Sequence, residues 1–96
     1  MGNMIPQERL MKYFNVTKKA IDLLKIVAPE RTHLYKAATD YLDMAKRYYN
    51  DAIHFHQNGK DVDAFAALNY AHGWLDAGAR IGLFDVQHNS KLFTVD

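Results

Sequence analysis

The sequence has no cysteine, so disulfides, thiolate metal sites and cysteine nucleophiles are excluded. It has only two prolines and five glycines in 96 residues, which leaves little turn punctuation and implies a few long elements. Apolar runs long enough to span a bilayer are also missing, because charged residues interrupt every one of them. There is no secretory leader pattern, and Pro6 stands where a myristoylation motif would need Ser or Thr after Gly2. Neither a glycine-rich phosphate loop nor a serine nucleophile signature is present. These absences lead to the expectation of a soluble, cytoplasmic protein with no cofactor, no metal and no membrane partner.

What is present argues for a packed core. Hydrophobic residues make up 49% of the chain, too many for a disordered one. The length suits one domain over residues 1–96. The net charge of +1 conceals an asymmetry. Residues 1–36 carry seven basic and three acidic groups, a net +4, whereas residues 37–96 carry five basic and eight acidic groups, a net −3. Such polarity orients partners or holds two faces of a bundle together.

Apolar periodicity predicts three helices over residues 6–27, 29–58 and 61–82, with a tail over 83–96. In the first, Leu10, Phe14, Thr17, Ile21 and Leu24 recur at three- and four-residue steps, and Pro6 suits the first helical position. Pro29 separates it from the second, since proline disfavours helix in the preceding residue. The second has the most regular stripe: Leu34, Ala38, Tyr41, Ala45, Tyr48, Ala52 and Phe55. "NGKD" then supplies Gly59 as a helix terminator and Asp61 as an N-cap. So short a link makes the second and third helices antiparallel neighbours. Gly82 is the expected terminator of the third. The tail is expected as either a short hairpin or an extended segment on the bundle. The predicted fold is all-α, an antiparallel three-helix bundle with a short C-terminal extension.

The third helix is apolar around most of its girth. Ala64, Phe65, Leu68, Ala71, Leu75, Gly78 and Ala79 share a core arc, while Ala67, Tyr70, Trp74, Ala77 and Ile81 form a second one beside it. Ala71, Gly78 and Ala79 suggest close approach of a neighbouring helix. Two other helices do not easily cover both arcs, so the tail or a second copy is expected to cover the remainder, with Tyr70, Trp74 and Ile81 as candidate interface residues. At the edge of the core arc, His72, Asp76 and Arg80 follow each other at four-residue steps beside a groove expected at Ala66 and Gly73. They are the candidate ligand-binding ridge, although a half-buried His–Asp contact followed by an ordinary Asp–Arg helix pair is the favoured reading.

Three further constellations carry chemistry. Arg47 and His54, separated by six residues, match the loose Arg–His spacing of the helical HEPN ribonucleases, where such a pair handles the scissile phosphate. Both also fall on the polar face, where plain solvation accounts for them. Asp51 and His54 offer two ligands at helical spacing, but no third residue is placed to complete a metal site. The basic groups of the first helix offer a weak nucleic-acid surface, or a solvated face complementing the acidic remainder.

The run "YYNDAIHFHQNGKDVDAFAALNYAHGWLDAGARIGLF" resembles a family of short archaeal proteins known as domain of unknown function 357. The resemblance rests on Tyr49, Asp51, Ala52, Phe55, Gly59, Asp61, Ala64, Tyr70, Ala71, Gly73, Leu75, Asp76, Ala77, Gly78, Arg80 and Gly82. It implies a small helical bundle from an archaeal, intracellular source, and it implies no activity. The function expected from the residues themselves is a non-enzymatic module that docks a protein partner or a second copy through Tyr70, Trp74 and Ile81. The alternative is a HEPN-like ribonuclease using Arg47 and His54, or a small-ligand or nucleic-acid-binding helical domain.

Overall fold

The structure, a computed structural model, describes residues 4–86. Three helices, α1 (Gln7–Leu23), α2 (His33–Gln57) and α3 (Asp61–Arg80), pack as an antiparallel bundle. Two short strands, β1 (Lys25–Ile26) and β2 (Phe84–Asp85), pair antiparallel with Lys25 opposite Asp85 and Ile26 opposite Phe84. The all-α three-helix architecture expected from the periodicity is present, with this small sheet added at one end.

The helix ends follow local chemistry. Gly59 closes α2 at φ 74°, with its N–H donating to the His56 carbonyl at 3.1 Å and that of Lys60 to Phe55 at 2.8 Å. Gly82 closes α3 at φ 81° with the equivalent pair of bonds, Gly82 to Ala79 at 3.2 Å and Leu83 to Gly78 at 2.9 Å. Both are Schellman terminations, which need a residue in the left-handed region.

Two boundaries differ from expectation by four residues, each for a physical reason. α1 stops at Leu23 rather than running to residue 27, because Leu24 turns extended (ψ 151°) and the next two residues pair with β2. Long-range pairing overrides the helical periodicity there. α2 begins at His33 rather than at 29: Thr32 accepts the Tyr35 N–H at 3.1 Å and donates to the Pro29 carbonyl at 2.6 Å, fixing the cap four residues later. Asp61 is not the N-cap of α3 but its first residue, and its carboxylate is engaged elsewhere.

Ala38, Ala45 and Ala52, seven residues apart, are fully buried along α2. They face a seam on α3 in which Ala64, Leu68, Ala71 and Leu75 are likewise fully buried. Small side chains on a seam favour close approach of two helices, whose axes usually lie ~8–10 Å apart. The bulkier members of the α2 stripe are displaced from that seam: Tyr41 and Tyr48 are half-buried, and Leu34 is exposed. α1 lies against one side of the α2–α3 pair. Its Phe14 ring meets Tyr49 of α2 at 5.9 Å, and its Tyr13 ring meets Phe65 of α3 at 4.9 Å, both edge to face.

The core has two parts. Leu10, Ala52, Ala64, Ala67 and Leu68 form one end; Ala20, Leu24, Ala38, Ala45, Leu75, Leu83, Phe84 and Val86 form the other. Leu83, Phe84 and Val86 are buried, so the start of the predicted tail belongs to the core. The rest of it, residues 87–96, lies outside the described residues, and with it the choice between a hairpin and an extended segment. Gly78 explains how the chain returns. A Cβ there would lie 2.2 Å from the Phe84 ring, so the close partner expected at this glycine is the strand's phenylalanine rather than a helix.

Gly73, by contrast, has nothing within 4 Å of a built Cβ and no positive φ. Gly73→Ala is therefore expected to stabilise the protein by about 0.5–1 kcal/mol through helix entropy. Gly78→Ala gains the same entropy but overpacks the Phe84 socket at a cost of about 1–3 kcal/mol, a net loss. Thermal unfolding of the two variants checks this; equal shifts in Tm would contradict the socket.

Candidate functional site

The side of the α2–α3 pair that faces away from α1 carries a row of aromatic residues. Tyr48 and Tyr70 stack at 5.4 Å between ring centroids, and Tyr41 meets Trp74 edge to face at 5.1 Å. Antiparallel packing sets these residues side by side across the helix pair, 48 with 70 and 41 with 74. Trp74 is half-buried against the core, but Tyr70 is 63% exposed and Ile81, the C-cap of α3, is 62% exposed. Residues 70, 74, 77 and 81 form one continuous helical ridge. Tyr70, Trp74 and Ile81 are thus brought together on one surface that no described part of α1 or the sheet covers.

The His72–Asp76–Arg80 ridge lies on the opposite side of α3, along α1. Lys12, Tyr13 and Val16 of α1 and Asn69, His72, Gly73 and Asp76 of α3 line a groove of about 440 Å³. His72 Nε2 stands 3.7 Å from Asp76 Oδ1, an ion-pair distance too long for a hydrogen bond, with both side chains mostly buried. Arg80 is exposed and does not line the groove. Neither does Ala66, which is exposed; the wall opposite Gly73 is Val16 and Tyr13 instead.

Arg47 and His54 sit on the outer face of α2. Arg47 is 72% exposed and its Nε donates to Asp43 Oδ2 at 2.8 Å, an i, i+4 ion pair. His54 is exposed, and its backbone carbonyl accepts from the Asn58 side chain at 2.8 Å. Among the described residues no group of three His, Asp or Glu side chains is placed to hold a metal ion.

One polar site escaped the sequence reading. His56 at the end of α2, Asp61 at the start of α3 and Gln7 at the start of α1 meet beside the "NGKD" turn. His56 Nδ1 donates to Asp61 Oδ1 at 2.8 Å, while the Gln7 amide donates to Asp61 Oδ2. An ionised carboxylate accepts only, so the proton on this His56 nitrogen is fixed by the contact. The Phe14 ring, 5.7 Å from that of His56, closes the junction on the α1 side. The flanking of a four-residue turn by His and Asp was the available signal. Gln7, 54 residues from Asp61, gave none.

The hydrogen bond from His56 lowers the Asp61 pKa from its ordinary 3.8, against some desolvation and with help from Gln7 and the His56 charge. A lowered folded-state pKa adds stability above the ordinary value, and that stability is lost as pH falls through the lowered one. The stability gap between the protein and Asp61→Asn is therefore expected to be widest near neutral pH and to close as pH drops below 3.8. Chemical denaturation across pH tests this; a gap unchanged down to about pH 2 would contradict it.

A family model described as protein of unknown function (DUF357) matches residues 12–84. No curated protein and no solved structure matches the chain. The matched segment runs from α1 through all three helices to Phe84 of β2, and so contains the seam, the Gly78 socket and the aromatic face. The chain belongs to the DUF357 family.

Proposed function

We propose that the protein is a non-enzymatic interaction module that docks a protein partner or a second copy through the Tyr70, Trp74 and Ile81 ridge. The observation that carries this is the exposure of Tyr70 and Ile81, 63% and 62%, at either end of one aromatic surface. Large apolar side chains scattered singly are ordinary, but a contiguous row rimmed by polar residues marks an interaction face. Tyrosine and tryptophan also suit docking, because they offer large contact area with few rotamers to immobilise. No described helix is long and apolar enough to cross a membrane. An archaeal and cytoplasmic setting, which the family resemblance implies, is part of the same proposal.

The ribonuclease alternative has less support. Arg47 already holds Asp43, and neither Arg47 nor His54 lines the described grooves. The His72–Asp76 groove is the better place for a small ligand, since its side chains converge from two helices.

Tyr70→Ala combined with Ile81→Ala is expected to abolish self-association or partner capture while changing stability by no more than about 1 kcal/mol, because both side chains are exposed. Sedimentation and affinity capture on the full chain read the first effect, and thermal unfolding reads the second. A protein that is monomeric, and whose partner capture is indifferent to both substitutions, would overturn the proposal.

A further inference from the structure

We propose that the α2–α3 face left uncovered by the described residues accepts a basic amphipathic helix from a protein partner, laid along the groove between the two helices. This occupant presupposes the docking role proposed above and adds the partner's chemistry. The first support is the charge of the rim. On α2 the positions about 100–140° from the buried seam on this side include Asp40, Met44 and Asp51; on α3 they include Asp63, Tyr70 and Ala77. Asp40, Asp51 and Asp63 are exposed, and none is in an ion pair among the described residues. Arg47 shares the α2 ridge with Asp40, Met44 and Asp51 but is held by Asp43, while Lys36 and Arg80 fall on the backs of their helices, about 160–180° from the seam. The face is therefore apolar along its middle and negative along its edges.

The second support is how the chain treats the other side of the same helix pair. There α1 is itself a basic amphipathic helix, carrying Arg9, Lys12, Lys18 and Lys19, with Lys18 tied to Asp22 within α1. Its apolar stripe faces the pair, and Arg9 sits over the Phe65 ring at 5.8 Å. The side away from α1 offers the matching elements: Tyr48, Tyr70 and Trp74 rings for cations and carboxylates at the rim. A second copy fits less well. Two-fold pairing through one face sets the same patch against itself, bringing aspartates against aspartates.

The test uses the full chain and two synthetic helices with one shared leucine stripe, one flanked by Lys and Arg, the other by Glu. Trp74, the single tryptophan, reports binding by fluorescence. The basic helix is expected to bind and the Glu helix not. Asp51→Lys with Asp63→Lys should weaken the basic helix about tenfold or more, as should raising salt from about 50 to about 500 mM. Circular dichroism confirms that these surface variants remain folded. Equal binding of both helices, or unchanged binding to the lysine variant, would overturn the inference. If both bind equally and Tyr70→Ala with Ile81→Ala abolishes both, the docking role stands and the basic partner falls. If neither binds and the chain self-associates through Tyr70 and Ile81, a second copy is the occupant and the basic partner again falls. If neither binds and those substitutions leave sedimentation unchanged, both proposals fall.

Discussion

Three alanines spaced seven residues apart, Ala38, Ala45 and Ala52, hold α2 against α3, and the rest of the molecule is arranged around that pair. Their small side chains admit the α3 seam of Ala64, Leu68, Ala71 and Leu75 at close range. Close approach has a consequence for the larger residues. Rings that cannot fit between the axes are pushed to the flanks, Tyr49 and Phe65 to one side, Tyr41, Tyr48, Tyr70 and Trp74 to the other. A tightly paired two-helix unit thus has two aromatic flanks, and α1 covers one.

The two ends of this unit are closed by different means. At the sheet end, Gly82 turns the chain so that Leu83, Phe84 and Val86 drop into the core, and Phe84 fills the space that Gly78 leaves. At the other end the lock is polar: one carboxylate, Asp61, joins α2 through His56 and α1 through Gln7. The apolar lock is indifferent to pH, whereas the polar one weakens in acid. α1 is therefore held at its N-terminal end by a titratable junction and followed at its C-terminal end by β1, which pairs with β2.

Much of this was legible in the sequence where the signal was local. The three helices follow from apolar spacing, and the terminations at Gly59 and Gly82 follow from the residue that best tolerates positive φ. The strands were not legible, because two residues have no periodicity and Lys25 finds Asp85 only through the folded chain. Gly78 announced a close contact, but the partner expected was a helix and the one found is Phe84 of β2. Helical spacing divides α3 into two apolar arcs, and the aromatic ridge lies on the second. Which arc α1 would cover depends on the hand of the bundle, and helical spacing does not encode that. For the same reason the groove beside His72 and Asp76 was assigned a wall at Ala66, whereas α1 supplies it as Val16 and Tyr13.

The central claim is that the α2–α3 pair is the organising unit and α1 an addition to one flank. Native-state hydrogen exchange measures this most directly, since it resolves the opening free energy of each helix separately. The account predicts that amides around Ala45, Ala52, Leu68 and Ala71 exchange only through global unfolding, while those of α1 exchange through a smaller opening that leaves α2 and α3 protected. Protection of α1 equal to that of α2 and α3 at every denaturant concentration would contradict it.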